Sequence, residues 1–126
     1  MNISLDFDGT ITADPDFWYK FCVLAKAAGH RVYIVTMRYP EEVVETKTGH
    51  VFDALVEDII YTHRSAKRPY VENLGIDIDI WIDDNPRAVN EHAVQIWPRV
   101  FPKGHTTHDR VHVHTSYMTP NEIEDK

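Results

Sequence analysis

The stretch Met1–Thr12, MNISLDFDGTIT, decides how the rest of the chain is read. A short apolar run passes directly into acidic residues, so a strand over Ile3–Phe7 would deliver Asp6 and Asp8 at its carboxyl end. Gly9 then lets the chain turn sharply, and Thr10 is placed to fasten that turn through a side-chain hydrogen bond. Taken alone, Asp6 and Asp8 describe a solvated acidic turn. What comes later in the chain gives them a chemical reading.

Further short runs rich in β-branched or aromatic residues predict strands at Arg31–Thr36, Asp58–Tyr61, Asp79–Ile82 and Ala93–Trp97, for a total of five with the first. Between the first two lies the clearest helix, Pro15–Ala28, with Asp14 placed to cap it, Pro15 suited to its first turn and Gly29 just past its end. Pro40–Val56 carries Val43, Val44, Phe52 and Leu55 at helical spacing, with Gly49 as a point where the helix divides. Shorter helices are expected over Ser65–Leu74 and Pro86–His92. Alternation of this kind predicts an α/β fold with a mainly parallel sheet covered on both faces. In such sheets ligands bind beyond the carboxyl ends of the strands.

The composition bounds the rest. At 126 residues and 43% hydrophobic content, the chain fits one domain, which would bury roughly two-thirds of its unfolded surface. We place that domain over residues 1–116, with a polar tail over 117–126. Thirteen basic residues against 20 acidic ones, a net charge of -7, give no general attraction for a nucleic-acid backbone or an anionic membrane. Cys22, the sole cysteine, excludes an internal disulfide and reads as a small buried hydrophobe. The first residues show neither a basic leader nor a long apolar stretch, so a cytoplasmic protein is expected.

After successive strands come Asp6 and Asp8 in LDFDGT, Thr36, Met37 and Arg38 in IVTMR, His63, Arg64 and Lys67 in YTHRSAK, and Asp83 and Asp84 in WIDDNP. A parallel sheet would bring all of these to one edge. Carboxylates gathered there repel one another unless a cation neutralises them, so Asp6, Asp8, Asp83 and Asp84 suggest a hard metal ion, and oxygen ligands favour magnesium. A carboxylate can also attack phosphorus and form an aspartyl phosphate, splitting hydrolysis into two easier steps. The charge that develops calls for a hydroxyl and a cation aimed at the phosphoryl oxygens, which Thr36 and Lys67 provide. Lys47 is the rival to Lys67, which is preferred because it follows the third strand and precedes the fourth.

The run DFDGTIT, a hydrophobic strand ending in Thr36, Lys67 early in a helix and the acidic pair in IDDNP resemble the four ordered motifs of haloacid dehalogenase-type phosphatases. The resemblance spans residues 2 to about 97. It implies a Rossmann-like three-layer α/β/α fold and a magnesium-dependent phosphomonoester hydrolase. Asp6 would be the nucleophile and a magnesium ligand. Asp8 would protonate the leaving group, activate the hydrolytic water and lend its backbone carbonyl to the metal. Thr36 and the Met37 amide would hold phosphate, Lys67 would neutralise nucleophile and phosphate, Asp83 would complete the coordination, and Asp84 would act through the metal's water shell. Gly9 and Thr10 would shape the phosphate-binding turn. Only Arg38–Ala66 separates the second and third motifs, so the chain resembles members without a large cap domain. Cover would then come from the substrate, local loops or a second subunit in a homo-oligomer.

Arg38, His63 and Arg64 are candidates for holding a second phosphate or the leaving group. Substrates in keeping with the resemblance are a nucleotide, a sugar phosphate or a phosphorylated nucleic-acid end. The segment after Trp97 carries Arg99, Lys103 and His105, which would partly replace a cap. His105, His108, His112 and His114 lack the partner spacing of a closed zinc site, and a solvated strand or a subunit contact is preferred. A receiver domain uses similar groups but places its acidic pair first and its phosphorylated aspartate after the third strand, an order this chain does not follow. The remaining alternative is a noncatalytic module that binds phosphate and magnesium on the same fold.

Overall fold

A computed structural model of the protein describes residues 1–46 and 49–98. Its strands are β1 (Asn2–Leu5), β2 (Arg31–Thr36), β3 (Asp58–Tyr61) and β4 (Ile80–Ile82), in the order β3-β2-β1-β4. Every neighbouring pair is parallel. Leu5 lies opposite both Ile34 and Ile82, and Thr36 opposite Tyr61, so the strands finish along a common edge. The α/β class with a parallel sheet is therefore the one the sequence predicts.

Helix α1 (Pro15–Ala27) follows its predicted signals closely. The Asp14 side chain accepts from the Phe17 amide at 3.3 Å, Pro15 opens the first turn, and Gly29 leaves the helix at φ 87°, a backbone angle glycine adopts freely. Cys22 and Ala25 on its buried face pack with Ile3, Leu5, Val32, Ile34 and Phe52. Burial raises the Cys22 thiol to about pKa 11, in keeping with an inert core cysteine. Side chains alternate across a strand, so Tyr33 and Val35 face the other way, where they pack with Ile60 and with Val71 of α2 (Lys67–Asn73). Helices thus cover both faces, and the unbroken apolar run of β2 reflects that double burial.

Two predicted elements are corrected. No helix forms among the described residues of 40–56, although Phe52 is buried in the core and Leu55 packs against it. The Arg38 guanidinium binds the carbonyls of Glu42 and Val43 at 3.2 and 3.0 Å, drawing acceptors away from a helical ladder, and β-branched Val43, Val44 and Thr46 favour the extended path. The expected fifth strand, Ala93–Trp97, is instead the single-turn helix α4 (Ala93–Ile96), which follows α3 (Arg87–Asn90). Ala93, Ile96 and Trp97 fall three and four residues apart and pack as one face against Met37 and Ala88, an arrangement strand alternation would have split. The His92 amide also donates to Gln95 Oε1 at 2.6 Å, closing the turn. The sheet described therefore has four strands. Residues 99–126, which include Arg99, Lys103, the four histidines and the predicted tail, lie outside the described residues.

The chain leaves β1 through α1 to β2 on one side, whereas β4 lies on the other side of β1 and is reached through α2 on the opposite face. β1 and β4 therefore diverge in connection direction beyond their carboxyl ends, which is where open α/β sheets hold ligands. Among the described residues, no helix is long and apolar enough to cross a membrane. The packing predicts that Ile34→Ala, at a fully buried position, destabilises the protein by about 2–5 kcal/mol, whereas Leu24→Ala, at a position 70% exposed, shifts it by less than about 0.5 kcal/mol. Urea unfolding of both variants checks this contrast.

Candidate functional site

Asp6 follows β1, and its amide donates to Ile82 O at 3.0 Å, which extends the β1–β4 pairing by one residue and sets Asp6 beside Asp83. Lys67, the first residue of α2, reaches between them: its Nζ lies 2.7 Å from Asp6 Oδ1 and 2.6 Å from Asp83 Oδ2. Its side chain is almost wholly buried. The rival Lys47 falls outside the described residues. Thr10 Oγ1 stands 3.2 Å from Asp6 Oδ2 and 3.4 Å from Asp84 Oδ1, and it accepts from the Asp84 amide at 3.3 Å. Thr10 thus ties the first loop to the last, while Gly9, at φ 86°, is fastened by its own amide, which donates to Thr12 Oγ1 at 2.8 Å.

Asp6, Asp83 and Asp84 each offer a carboxylate oxygen within 4.8 Å of the others. One oxygen of Asp84, Oδ2, is buried with no hydrogen-bond partner among the described residues. Three carboxylates face one ammonium here, so a divalent cation would balance the charge left over, and an all-oxygen donor set suits a hard ion such as magnesium. The side chain of Asp8 is not in this group. Both of its oxygens are taken by Arg38, from Nε at 2.8 Å and Nη2 at 2.7 Å, so the gathering of four carboxylate side chains expected from sequence is one of three.

Burial dominates the electrostatics. It pushes the Asp6 carboxyl up to about 8 against the opposing charge of Lys67. Burial, joined by the Asp6 charge, lifts Asp83 to about 6, and burial, joined by the Asp83 charge, lifts Asp84 to about 6. For Lys67 burial disfavours the ammonium, but the adjacent charges of Asp6 and Asp83 outweigh it and raise its pKa.

A pocket joins Asp6, Asp8, Thr36, Met37, Arg38, Arg64, Lys67, Asp83 and Asp84, so most of the residues predicted for the site do meet. Thr36 is buried at the end of β2, and its Oγ1 accepts from the Arg38 amide at 3.3 Å. Met37 O receives both the Arg64 amide, at 2.8 Å, and Arg64 Nη1, at 2.6 Å, while Arg64 Nη2 pairs with Glu42 at 2.9 Å. His63 and Arg64 are both left-handed, at φ 54° and 66°, which for residues other than glycine costs on the order of 1–3 kcal/mol each. These bonds from Arg64 help hold that loop in place. His63, however, is exposed between the rings of Tyr39 and Tyr70 and does not line the pocket, contrary to its predicted substrate-binding position.

Sequence reasoning missed Glu42, Asn85, Ala88 and Trp97, which also line the pocket. Asn85 precedes Pro86, a pairing that marks a turn and carries no hint of burial. Glu42 and Trp97 fall in segments whose spacing predicts a helix and a strand that do not form among the described residues.

The carboxyl shifts fix a pH dependence. A folded-state value above the ordinary 3.8 means that the folded protein binds more protons than the unfolded chain, so the metal-free fold loses stability as pH rises, through about 6 for Asp83 and Asp84 and about 8 for Asp6. The melting temperature in chelator should fall from pH 5 to pH 8, and millimolar magnesium should flatten that fall, since metal binding favours the deprotonated ligands. Asp6→Asn should remove the part of the slope above pH 6. Scanning fluorimetry with and without magnesium reads all three effects.

No model of a known protein family, no curated protein and no solved structure matches the chain, so what the site can do follows from its own geometry and chemistry.

Proposed function

We propose that the protein is a magnesium-dependent phosphomonoester hydrolase of the haloacid dehalogenase type, without a large cap, acting through an aspartyl phosphate on Asp6. The observation that carries this reading is the buried bridge of Lys67 between Asp6 and Asp83, with Asp84 completing a cluster of oxygen ligands at the sheet's switch point. An ammonium held at 2.7 Å from a carboxylate steadies that carboxylate as a nucleophile and offsets charge on an approaching phosphoryl group.

An oxygen of Asp6 would form the bond to phosphorus as the ester oxygen departs with a proton from Asp8. In the second step Asp8 would take a proton from water as the water oxygen bonds to phosphorus, releasing phosphate and restoring Asp6. Thr36, with the Met37 amide, would hold the phosphoryl oxygens, and Lys67 would balance their charge. Asp6, Asp83 and the Asp8 backbone carbonyl would hold magnesium, with Asp84 bound through its water shell, and the ion would add positive charge where the transition state gathers negative charge. Because Arg38 occupies both Asp8 oxygens, substrate entry must part that pair before Asp8 can transfer a proton, which frees Arg38 for the substrate's own anionic group.

A nucleotide, a sugar phosphate and a phosphorylated nucleic-acid end all fit this chemistry, and the acidic net charge favours the two small-molecule classes. We place the reaction in the cytoplasm, with a homo-oligomer as one source of cover for the open site. With magnesium and a panel of these esters, the wild-type protein should turn over at least one class. Asp6→Asn should lower kcat by more than about 1000-fold, roughly 4 kcal/mol of barrier. Asp8→Asn should lower it by about 100- to 10,000-fold and leave phosphorylated protein detectable by mass spectrometry. Absence of turnover across the panel at high protein concentration, with phosphate still bound, would identify a noncatalytic binding module instead.

A further inference from the structure

Asn85 is 3% exposed, yet neither the Nδ2 nor the Oδ1 of its carboxamide has a hydrogen-bond partner among the described residues. A buried, unpaired amide costs about 1–3 kcal/mol, so an interior position of this kind would ordinarily be filled by an apolar residue. The backbone is not at fault, because the Asn85 amide donates to Asp83 Oδ1 at 2.9 Å and fixes the residue beside the acidic cluster. Asn85 is one of the residues lining the same pocket as Asp6 and Lys67.

The pocket's other walls indicate what the carboxamide meets. Beyond the charged groups it is bounded by Met37, Ala88 and Trp97, members of one apolar cluster. A phosphoryl group has no use for such a wall, and on the hydrolase reading its oxygens are met by Lys67, Thr36 and the Met37 amide. Glu42 and Arg64, also at the pocket, are paired with each other. An apolar wall with one neutral polar group is how sites orient the organic part of a ligand. A carboxamide presents a donor and an acceptor side by side in one plane.

We propose that the Asn85 carboxamide is a specificity-determining group that hydrogen-bonds an adjacent donor and acceptor on the leaving group of the substrate. This rests on the hydrolase reading and narrows it to phosphomonoesters whose organic part offers such a pair, as a nucleobase edge or a vicinal diol does. Simple aryl esters lack it. A site built to bond a polar group discriminates strongly against analogues without one, because its own polar atoms are then left unpaired.

The test uses the full chain with magnesium and compares Asn85→Leu and Asn85→Ala with wild type on phenyl phosphate, nucleoside monophosphates and hexose phosphates. The ratio of kcat/KM for the preferred nucleotide or hexose phosphate to that for phenyl phosphate should fall at least about tenfold in both variants, carried mainly by KM. Which ester class loses the preference identifies the edge being read. Asn85→Leu, close in shape but apolar, should melt at or above the wild-type temperature, since it removes an unsatisfied amide. A ratio that stays constant, equal losses on every ester, or a lower melting temperature for Asn85→Leu would each overturn the assignment. If wild type hydrolyses none of the esters, the hydrolase reading fails and this inference goes with it, whereas turnover with an unchanged ratio removes this inference alone.

Discussion

The Lys67 ammonium, buried between Asp6 and Asp83, is the interaction on which the rest of the structure turns. It joins the first residue of α2 to the carboxyl ends of β4, the next element in the chain, and of β1, which is far away in sequence. Charges buried this deeply are tolerated only when paired, and breaking such a pair from one side leaves an uncompensated charge. The same bridge therefore fixes the seating of α2 and holds two carboxylates together at the sheet edge. Three carboxylates against one ammonium still leave the site underneutralised, and burial responds by lifting all three carboxyl groups above their ordinary range.

Arg38 organises the second half of the site in a comparable way. Its guanidinium clamps Asp8, holds the carbonyls of Glu42 and Val43, and lies over the Phe7 ring at 4.9 Å. One side chain thus determines where the Asp8 carboxylate points and why the segment after β2 stays irregular. A fork of five donors in a plane can do this where a lysine could not. The acidic residues consequently divide into two groups by their cation, with Asp6 and Asp83 on Lys67 and Asp8 on Arg38.

The strands and α1 were legible because their signals are local. The Val-Tyr-Ile-Val run of β2 and the Asp14, Pro15 and Gly29 punctuation of α1 act within a few residues of themselves. The convergence of Asp6, Thr36, Lys67 and Asp83 was legible because a parallel sheet carries every strand end to one edge. The failures share a cause in long-range contacts. Helical spacing over Pro40–Val56 lost to carbonyls captured by Arg38, and Ala93–Trp97 became a turn of helix because Met37 and Ala88 offered a surface to its three-and-four spacing. The direction of the Asp8 side chain was illegible for the same reason, since its partner lies 30 residues away.

Apart from the buried Trp81 Nε1 within β4, several departures from good local chemistry fall at one place in the fold. Carboxylates buried together, consecutive left-handed residues at His63 and Arg64, and an Asn85 carboxamide without a partner among the described residues all lie at or beside the carboxyl edge of the sheet. Away from that edge, α1 is capped and both sheet faces pack apolar side chains against helices. A sequence selected for stability alone would replace Asn85 with an apolar residue and would not set three carboxylates beside a single lysine. Natural folds break local rules where a ligand supplies the missing partner. The positions of the violations therefore mark this edge, independently of the motif pattern, as the place where a ligand would supply missing partners, since unpaired polar atoms and backbone angles are quantities the order of motifs in the chain does not determine.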